Sequence, residues 1–336
     1  MWKKAAKTVG LSALRGAGLF QMAGRSDRRR NRLLILCYHG LSLRDEHEWL
    51  GGLFIPPALF RERMALLRRA SANVLPLGEA LQRLRDGSLP ERSVAITFDD
   101  GFYDFHVHAV PVLREFGFPA TLYLTTHYCQ YRLPIVNLAI EYVLWKSGRE
   151  TVGPLPELGI ESEVAVTTYD GRQVVKQAML RFSEQHGIDT VGRNDLVAKL
   201  AEAVGVEYQP IVDSRILQIM NPEEVAATAA TAGIDIELHT HRHRTPRNHE
   251  LFLREIRDNA AAITEMTGRK PTHFCYPSGD YAAEFLPWLR ECGVESATTC
   301  ELALARPGSD PLLLPRLLDD CNVTGLDFES YLYGVR

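Results

Sequence analysis

Short apolar, largely β-branched runs recur along the chain, each followed by a stretch whose apolar positions fall three and four apart. The runs are LLILCYH (33–39), SVAITF (93–98), PATLYLTT (119–126), GIDIEL (233–238), PTHFCY (271–276), VESATT (294–299) and LLLPRLL (312–318). Between them Phe60, Met64 and Leu67 share one helical face. So do Leu253, Ile256, Ala260 and Ile263, in a segment closed by Gly268 as its C-cap. Strand–helix alternation predicts a mostly parallel sheet, because parallel neighbours need a crossover between them. About seven strands at this length favour a distorted (β/α) barrel, with an open doubly wound sheet as the competing architecture. The chain carries no dinucleotide-type glycine fingerprint, phosphate loop or repeat.

The alternation pauses from residue 129 to residue 217. Val136, Ile140, Val143 and Leu144, then Val175, Ala178, Met179 and Phe182, mark amphipathic helices there, and EVAVTTYDGRQ reads as a strand entering an Asp-Gly turn. The pattern predicts a mainly helical insertion at 129–217 within a barrel formed by 33–128 and 218–336. Its position between two chemically loaded segments suits a cover over a site, and packing on the barrel wall is the plainer alternative.

With 336 residues, 46% of them hydrophobic and 24% charged, the composition is that of a globular chain. A formal net charge of -4 gives no general attraction to nucleic acid. Residues 1–32 differ: nine basic residues (Lys3, Lys4, Lys7, Arg15, Arg25, Arg28, Arg29, Arg30, Arg32) face one acid, Asp27, with Leu11, Leu14, Leu19, Phe20 and Met22 among them. Arg15, Gln21 and several glycines interrupt any signal-peptide core, and no segment approaches the roughly 20 apolar residues of a membrane span. This basic, weakly amphipathic arm suits an anionic membrane surface, or else forms a solvated helix ahead of the domain. Six scattered cysteines with no CxxC spacing predict free thiols in a reducing, cytoplasmic setting, with the arm placed to touch the inner face of the membrane. FRERMALLRRA, with Arg83 and Arg85 nearby, reads as a solvated helix face.

Two segments carry chemistry. AITFDDGFYDF (95–105) ends an apolar run in Asp99 and Asp100, two adjacent carboxylates that are costly to desolvate without a positive partner, for which a metal ion is the simplest candidate. ELHTHRHRTP (237–246) places His239 and His243 four apart, able to converge on one ion, while His241 points elsewhere. Two imidazoles and one carboxylate leave coordination positions open, as catalytic zinc requires. Strand C-termini at one face of a barrel are where such groups gather. The aromatics Phe102, Tyr103, Phe105, Tyr276 and Tyr281 follow these segments and are candidates to stack on a sugar ring, with half or more expected in the core.

TFDDG (97–101), the H-[S/T]-x-x-H form of HTHRH (239–243) and FCYPSGDY (274–281) resemble the first three motifs of the polysaccharide deacetylases, the NodB-homology or carbohydrate esterase family 4 group. The likeness extends to LLILCYHG, FPATLYLTT and LLLPRLL and covers about residues 33–127 and 218–334, leaving the insertion and the arm outside it. It implies a distorted barrel and one divalent ion, usually zinc, held by Asp100, His239 and His243. Asp99 is then the general base, and the backbone N–H of Ser278 the oxyanion donor. Two departures stand out. The family's arginine two residues before the motif-three proline is Cys275 here, and its late histidine has no counterpart, since no His follows His273. His39 and His241 are the substitutes available for the acid, and Arg316 or Asp280 for the group that orients the base. The activity implied is removal of N-acetyl groups from an amino-sugar polysaccharide or a lipid-linked precursor. The alternatives are a deacylase or deformylase of a small or lipid-linked amino sugar, and a carbohydrate-binding barrel without catalysis.

Overall fold

The computed structural model describes residues 2–26 and 29–335, without the side chains of residues 2–8. The side chains of Lys3, Lys4 and Lys7, together with Asp27, Arg28 and Arg336, therefore lie outside the described residues. Each of the seven apolar runs contains one strand of a single parallel sheet: β1 (Leu34–Tyr38), β2 (Ser93–Phe98), β3 (Ala120–Leu124), β4 (Ile234–Leu238), β5 (His273–Cys275), β6 (Ser296–Thr298) and β7 (Leu317–Leu318). Their order across the sheet is β6-β5-β4-β3-β2-β1-β7, and Leu34–Tyr38 lies in register with Val94–Phe98. A two-residue strand, Asn73–Val74, also pairs with β2.

The sheet curls into a distorted (β/α) barrel whose open seam is bridged by residues 311–319. Ala297 donates to the Pro311 carbonyl and Thr299 to that of Leu314, after which Leu317 and Leu318 pair with Leu36 and Cys37. Strand alternation sorts the two faces. Leu34, Leu36, Val94, Ile96, Leu122 and Ile236 pack outward under the helices, while Leu33, Ile35, Ala95, Tyr123 and Cys275 form a separate interior cluster. The labelled helices are α1 (Trp2–Gly16), α2 (Leu19–Gly24), α3 (Pro57–Arg69), α4 (Leu77–Asp86), α5 (Val136–Ser147), α6 (Tyr169–Gln185), α7 (Thr190–Val204), α8 (His249–Thr267) and α9 (Gly325–Leu332). Leu77, Leu81 and Leu84 of α4 join the interior cluster and plug the barrel floor, each burial contributing roughly 1.5–3 kcal/mol. The opposite end, where the strands terminate, stays open.

Residues 129–217 fold into α5, α6, α7, a short helix at Gln209–Asp213 and a two-stranded pair, Thr151–Val152 with Val164–Ala165. The Asp-Gly turn expected after EVAVTTY is absent: Asp170 and Gly171 lie in the first turn of α6, because the Thr168 hydroxyl caps that helix by accepting from Gly171 N. A second correction concerns α3. Arg63 is not on a solvated face but is buried against Asp319, at 3.0 Å, and it donates to the Val323 carbonyl.

Candidate active site

Asp99 and His239 reach the open end by the same rule. Thr97 and Glu237 point into the barrel, so the residues two further on do likewise, just past the last strand hydrogen bonds. Asp100 is turned towards them by a left-handed backbone, φ 70°, which an aspartate tolerates. Gly101, at φ 92°, has no space for a side chain: a Cβ there would stand 2.2 Å from Leu124 Cδ1. Among the described residues nine non-glycines have positive φ, and four of them, Asp100, Thr240, His243 and Ser278, belong to these strand-end loops. Strain gathered in this way marks loops whose geometry is imposed by their surroundings.

The histidine loop is held from below by α8. Asn259, fully buried, accepts from His239 N and donates to the Leu124 carbonyl and to Thr126 Oγ1. Glu255 receives Arg242 N, Arg242 Nη1 and Arg244 Nε. His239 and His243 thereby bring their Nε2 atoms to 3.3 and 3.2 Å from the same oxygen, Asp100 Oδ1. The other ring nitrogen of His239, Nδ1, faces the Cys275 carbonyl at 2.9 Å, which fixes the ring and leaves Nε2 available to a ligand. Burial opposes ionisation of Asp100, yet hydrogen bonds from both imidazoles hold its carboxyl well below the usual range. Burial likewise works against a charged His239, and its bond to Asp100 outweighs it, so that its pKa is raised. His241 is not part of this group; its Nδ1 lies 2.9 Å from Thr126 Oγ1.

Asp99 has a different environment. It is 2% exposed and grips Arg316 in a two-pronged pair, Nη1 to Oδ1 at 2.7 Å and Nη2 to Oδ2 at 2.8 Å. The remaining Arg316 donors reach the Thr299 carbonyl, Thr97 Oγ1 and Cys275 Sγ. Burial alone would keep Asp99 protonated, but the charge and hydrogen bonds of Arg316 hold its carboxyl far below the ordinary value. The thiols of Cys275 and Cys37 are pushed up by burial, so they stay protonated and donate to Asp99 Oδ2. Arg316 therefore occupies the orienting position for which Asp280 was the other candidate. Asp280 instead lies at the surface beside Thr245 and Arg247.

Three groups of ligand-type atoms come within 4.8 Å of one another among the described residues. Two of them require Asp99 together with Cys37 or Cys275, which are a carboxylate already committed to Arg316 and thiols held in the protonated form. The third, Asp100 with His239 and His243, offers one oxygen and two imidazole nitrogens, a donor set that fits a zinc-type ion.

Around these groups lies a cavity of about 460 Å³. His39, Asp99, Asp100, His239 and His243 line its floor, and Tyr276, Ser278 and Cys300 one side. Ser278 adopts φ 57° in a turn whose Gly279 and Asp280 amides close back onto the carbonyls of Tyr276 and Pro277. His39 Nε2 is 3.7 Å from Asp99 Oδ2, and burial lowers its pKa against the raising influence of the two aspartates. Of the candidate aromatics, Phe102 and Tyr276 face the cavity from buried positions, Phe105 is core, and Tyr103 lies under the Arg215 guanidinium, 4.2 Å from its ring centre. Tyr281 donates to Glu301 at the surface. The far wall comes from the insertion, whose position between the two loaded segments suited a cover: Ile135 just ahead of α5, Asn137, Leu138 and Glu141 of α5 and Lys176 of α6 line it, with Lys176 Nζ paired to Glu141 Oε1. The sequence did not single out these individual residues.

The sequence profile described as polysaccharide deacetylase matches residues 86–297. A stretch of 61 residues, 18% of this chain, is 36% identical to the poly-beta-1,6-N-acetyl-D-glucosamine N-deacetylase of Escherichia coli (strain K12), where it spans 9% of the length. The stretches shared with the curated relatives cover 9 to 32% of those proteins' own lengths. Among solved structures, IcaB from Ammonifex degensii superposes with a TM-score of 0.56 at 18% identity, covering 90% of this chain and 97% of that one. The Streptococcus pyogenes deacetylase PplD in complex with acetate gives 0.55 at 17% identity, covering 90% and 98%. At these identities the structural likeness is one of fold.

Proposed function

Because the chain belongs to the polysaccharide deacetylase family, we propose that it is a metal-dependent hydrolase that removes N-acetyl groups from an amino-sugar polymer. The reading rests on one observation: Asp100, His239 and His243 converge on a cavity floor beside a second carboxylate, Asp99, kept ionised by a buried arginine. A zinc-type ion held by the three ligands supplies Lewis acidity and eases deprotonation of water. The chain's own groups account for the rest. Asp99 takes the proton of the water that attacks the N-acetyl carbonyl carbon, and Arg316 holds the carboxylate in plane and charged. Ser278 N–H donates to the oxyanion that develops, a contact worth roughly 3 kcal/mol in barrier height. The C–N bond then breaks, acetate departs, and the amine receives a proton. His39 is the one imidazole of the cavity outside the ligand set, and it stands 3.7 Å from the oxygen that holds the proton, so it is the group to deliver it.

The relatives' names make poly-β-1,6-N-acetylglucosamine the first polymer to test. The apolar side of the cavity, with Leu50, Leu53, Ile135 and Leu138, favours the second reading, a lipid-linked amino sugar whose apolar part lies against the insertion. Acetate release is to be measured across poly-β-1,6-N-acetylglucosamine, chitin oligomers, peptidoglycan fragments and a lipid-linked N-acetylated sugar. Release from a polymer supports the leading reading, and release from the lipid-linked sugar alone supports the second. Asp99→Asn binding substrate as the wild type does but without turnover distinguishes an enzyme from a binding barrel; unchanged turnover overturns the base assignment.

A further inference from the structure

The amino-terminal arm packs on the barrel while leaving large apolar side chains in solvent. Leu11 is buried, Arg15 pairs with Glu329 of α9 at 2.8 Å, and Phe20 of α2 packs against Tyr333. At 100° per residue, Trp2, Ala6, Val9, Ala13 and Gly16 form one row along α1, roughly opposite Leu11, with no charged residue among them. The positions of Lys4, Lys7 and Arg15 flank Leu11 instead. A helix at a soluble surface turns its apolar row inward; α1 instead leaves Val9 of that row in solvent. The apolar exposure is concentrated here. Eleven large apolar side chains are exposed among the described residues, and four of them, Val9, Leu14, Leu19 and Met22, lie within fourteen residues of sequence. Val9 is 70% and Met22 67% exposed.

We propose that α1 and α2 form an interfacial patch that docks the protein on an anionic lipid bilayer, apolar row inserted and basic flanks at the headgroups. An apolar row opposite a lysine-bearing flank is the arrangement of helices that lie in a membrane interface. Nine basic residues against one acid in residues 1–32 supply the charge complement, although Arg15, Arg29 and Arg30 are engaged within the protein. Arg29 donates to the Leu332 carbonyl at the end of α9 and to the carbonyl of Ser93, the first residue of β2, so the arm joins the barrel at the end where strands begin. The active-site cavity opens where they finish. The arm's junction and the cavity mouth therefore lie at opposite ends of the barrel.

The test is co-sedimentation of the full chain with vesicles of about three parts phosphatidylcholine to one of phosphatidylglycerol, and with phosphatidylcholine alone. Pelleting with the anionic vesicles, weakened at about 0.5 M salt and at least about tenfold lower in the Val9→Glu/Met22→Glu variant, is the expected result. Both positions are solvent-exposed and remote from the cavity, so acetate release from a soluble substrate should be equal in variant and wild type. Failure to pellet, or equal pelleting of the variant, overturns the proposal. A dimer in light scattering that dissociates on Val9→Glu, without vesicle binding, also overturns it by giving the patch to a second copy. The sedimentation and scattering readouts do not depend on which acylated sugar the cavity accepts, so the docking proposal can fail while the proposed function stands.

Discussion

Replacing Arg316 with methionine removes the charge that keeps Asp99 tolerable inside the barrel. Two short bonds, 2.7 and 2.8 Å, are lost, and a carboxylate 2% exposed is left without a cation. Removing one partner of a buried ion pair costs about 3–5 kcal/mol, a large part of a domain's stability of about 5–15 kcal/mol. Asp99→Asn should be costly for the mirror reason, since it strands a guanidinium that is 1% exposed. The double variant strands neither, so it should be more stable than the sum of the single losses predicts by about 2–3 kcal/mol. Urea unfolding followed by circular dichroism, in EDTA so that metal binding at the adjoining ligands does not contribute, measures the cycle. Catalysis supplies a second readout. With Arg316 gone, burial governs Asp99 and its carboxyl rises, so the acid limb of kcat/KM moves to higher pH; Arg316→Lys, which keeps the charge but not the fork, moves it less. Additive single losses together with an unmoved acid limb would refute the account of Asp99 as a base held by Arg316.

Elemental analysis after dialysis against zinc should find one ion per chain in the wild type and in Asp99→Asn, and none in Asp100→Ala or His243→Ala; an ion retained by Asp100→Ala removes that residue from the ligand set. Gly101→Ala combines a left-handed φ with a 2.2 Å approach to Leu124, so a loss of about 1–3 kcal/mol in urea unfolding is expected, and a neutral result would contradict the packing of that turn. Glu237 is raised to about 7, chiefly by burial, while the Thr272 and His273 amides pull the other way. A carboxyl whose folded pKa lies above its unfolded value favours the fold at low pH and loses that contribution as pH climbs from about 4.5 to 7. Glu237→Gln should therefore match or trail the wild type at pH 4.5 and gain about 2–3 kcal/mol on it by pH 8; a difference that does not vary with pH would show that Glu237 titrates normally.

The barrel strands were legible because strands buried on both faces of a parallel sheet carry unbroken apolar runs, and LLILC or SVAITF leaves little else to fold into. The position of the chemistry was legible for a related reason: a polar residue two places beyond such a run continues its inward alternation, as Asp99 and His239 do. What depended on distant partners was not legible. Arg63 read as a surface charge because Asp319, its partner, is 256 residues away. Asp-Gly read as a hairpin turn because nothing in the pair reveals that Thr168 will cap a helix across it. The insertion's position suggested a cover, but which of its residues would line the cavity was hidden for the same reason, since an amphipathic pattern states which face of α5 is apolar but not what that face will meet.

Cys275 stands where the family's motif-three arginine is expected, and the geometry explains how Asp99 is still held. The guanidinium arrives from the other side, on the residue between Leu314, paired to β6, and Leu317, paired to β1. An arginine at position 275 as well would set two buried cations against one carboxylate, whereas a small neutral thiol fits between Arg316 Nη2 and Asp99 Oδ2, accepting from one at 3.0 Å and donating to the other at 3.3 Å. Arg316 sits in the segment that bridges the barrel seam, so charge compensation at the base and closure of the barrel depend on the same nine residues, 311–319. Loosening that segment should depress turnover before it depresses metal binding, because Asp100, His239 and His243 are anchored from β2, β4 and α8 and do not touch it.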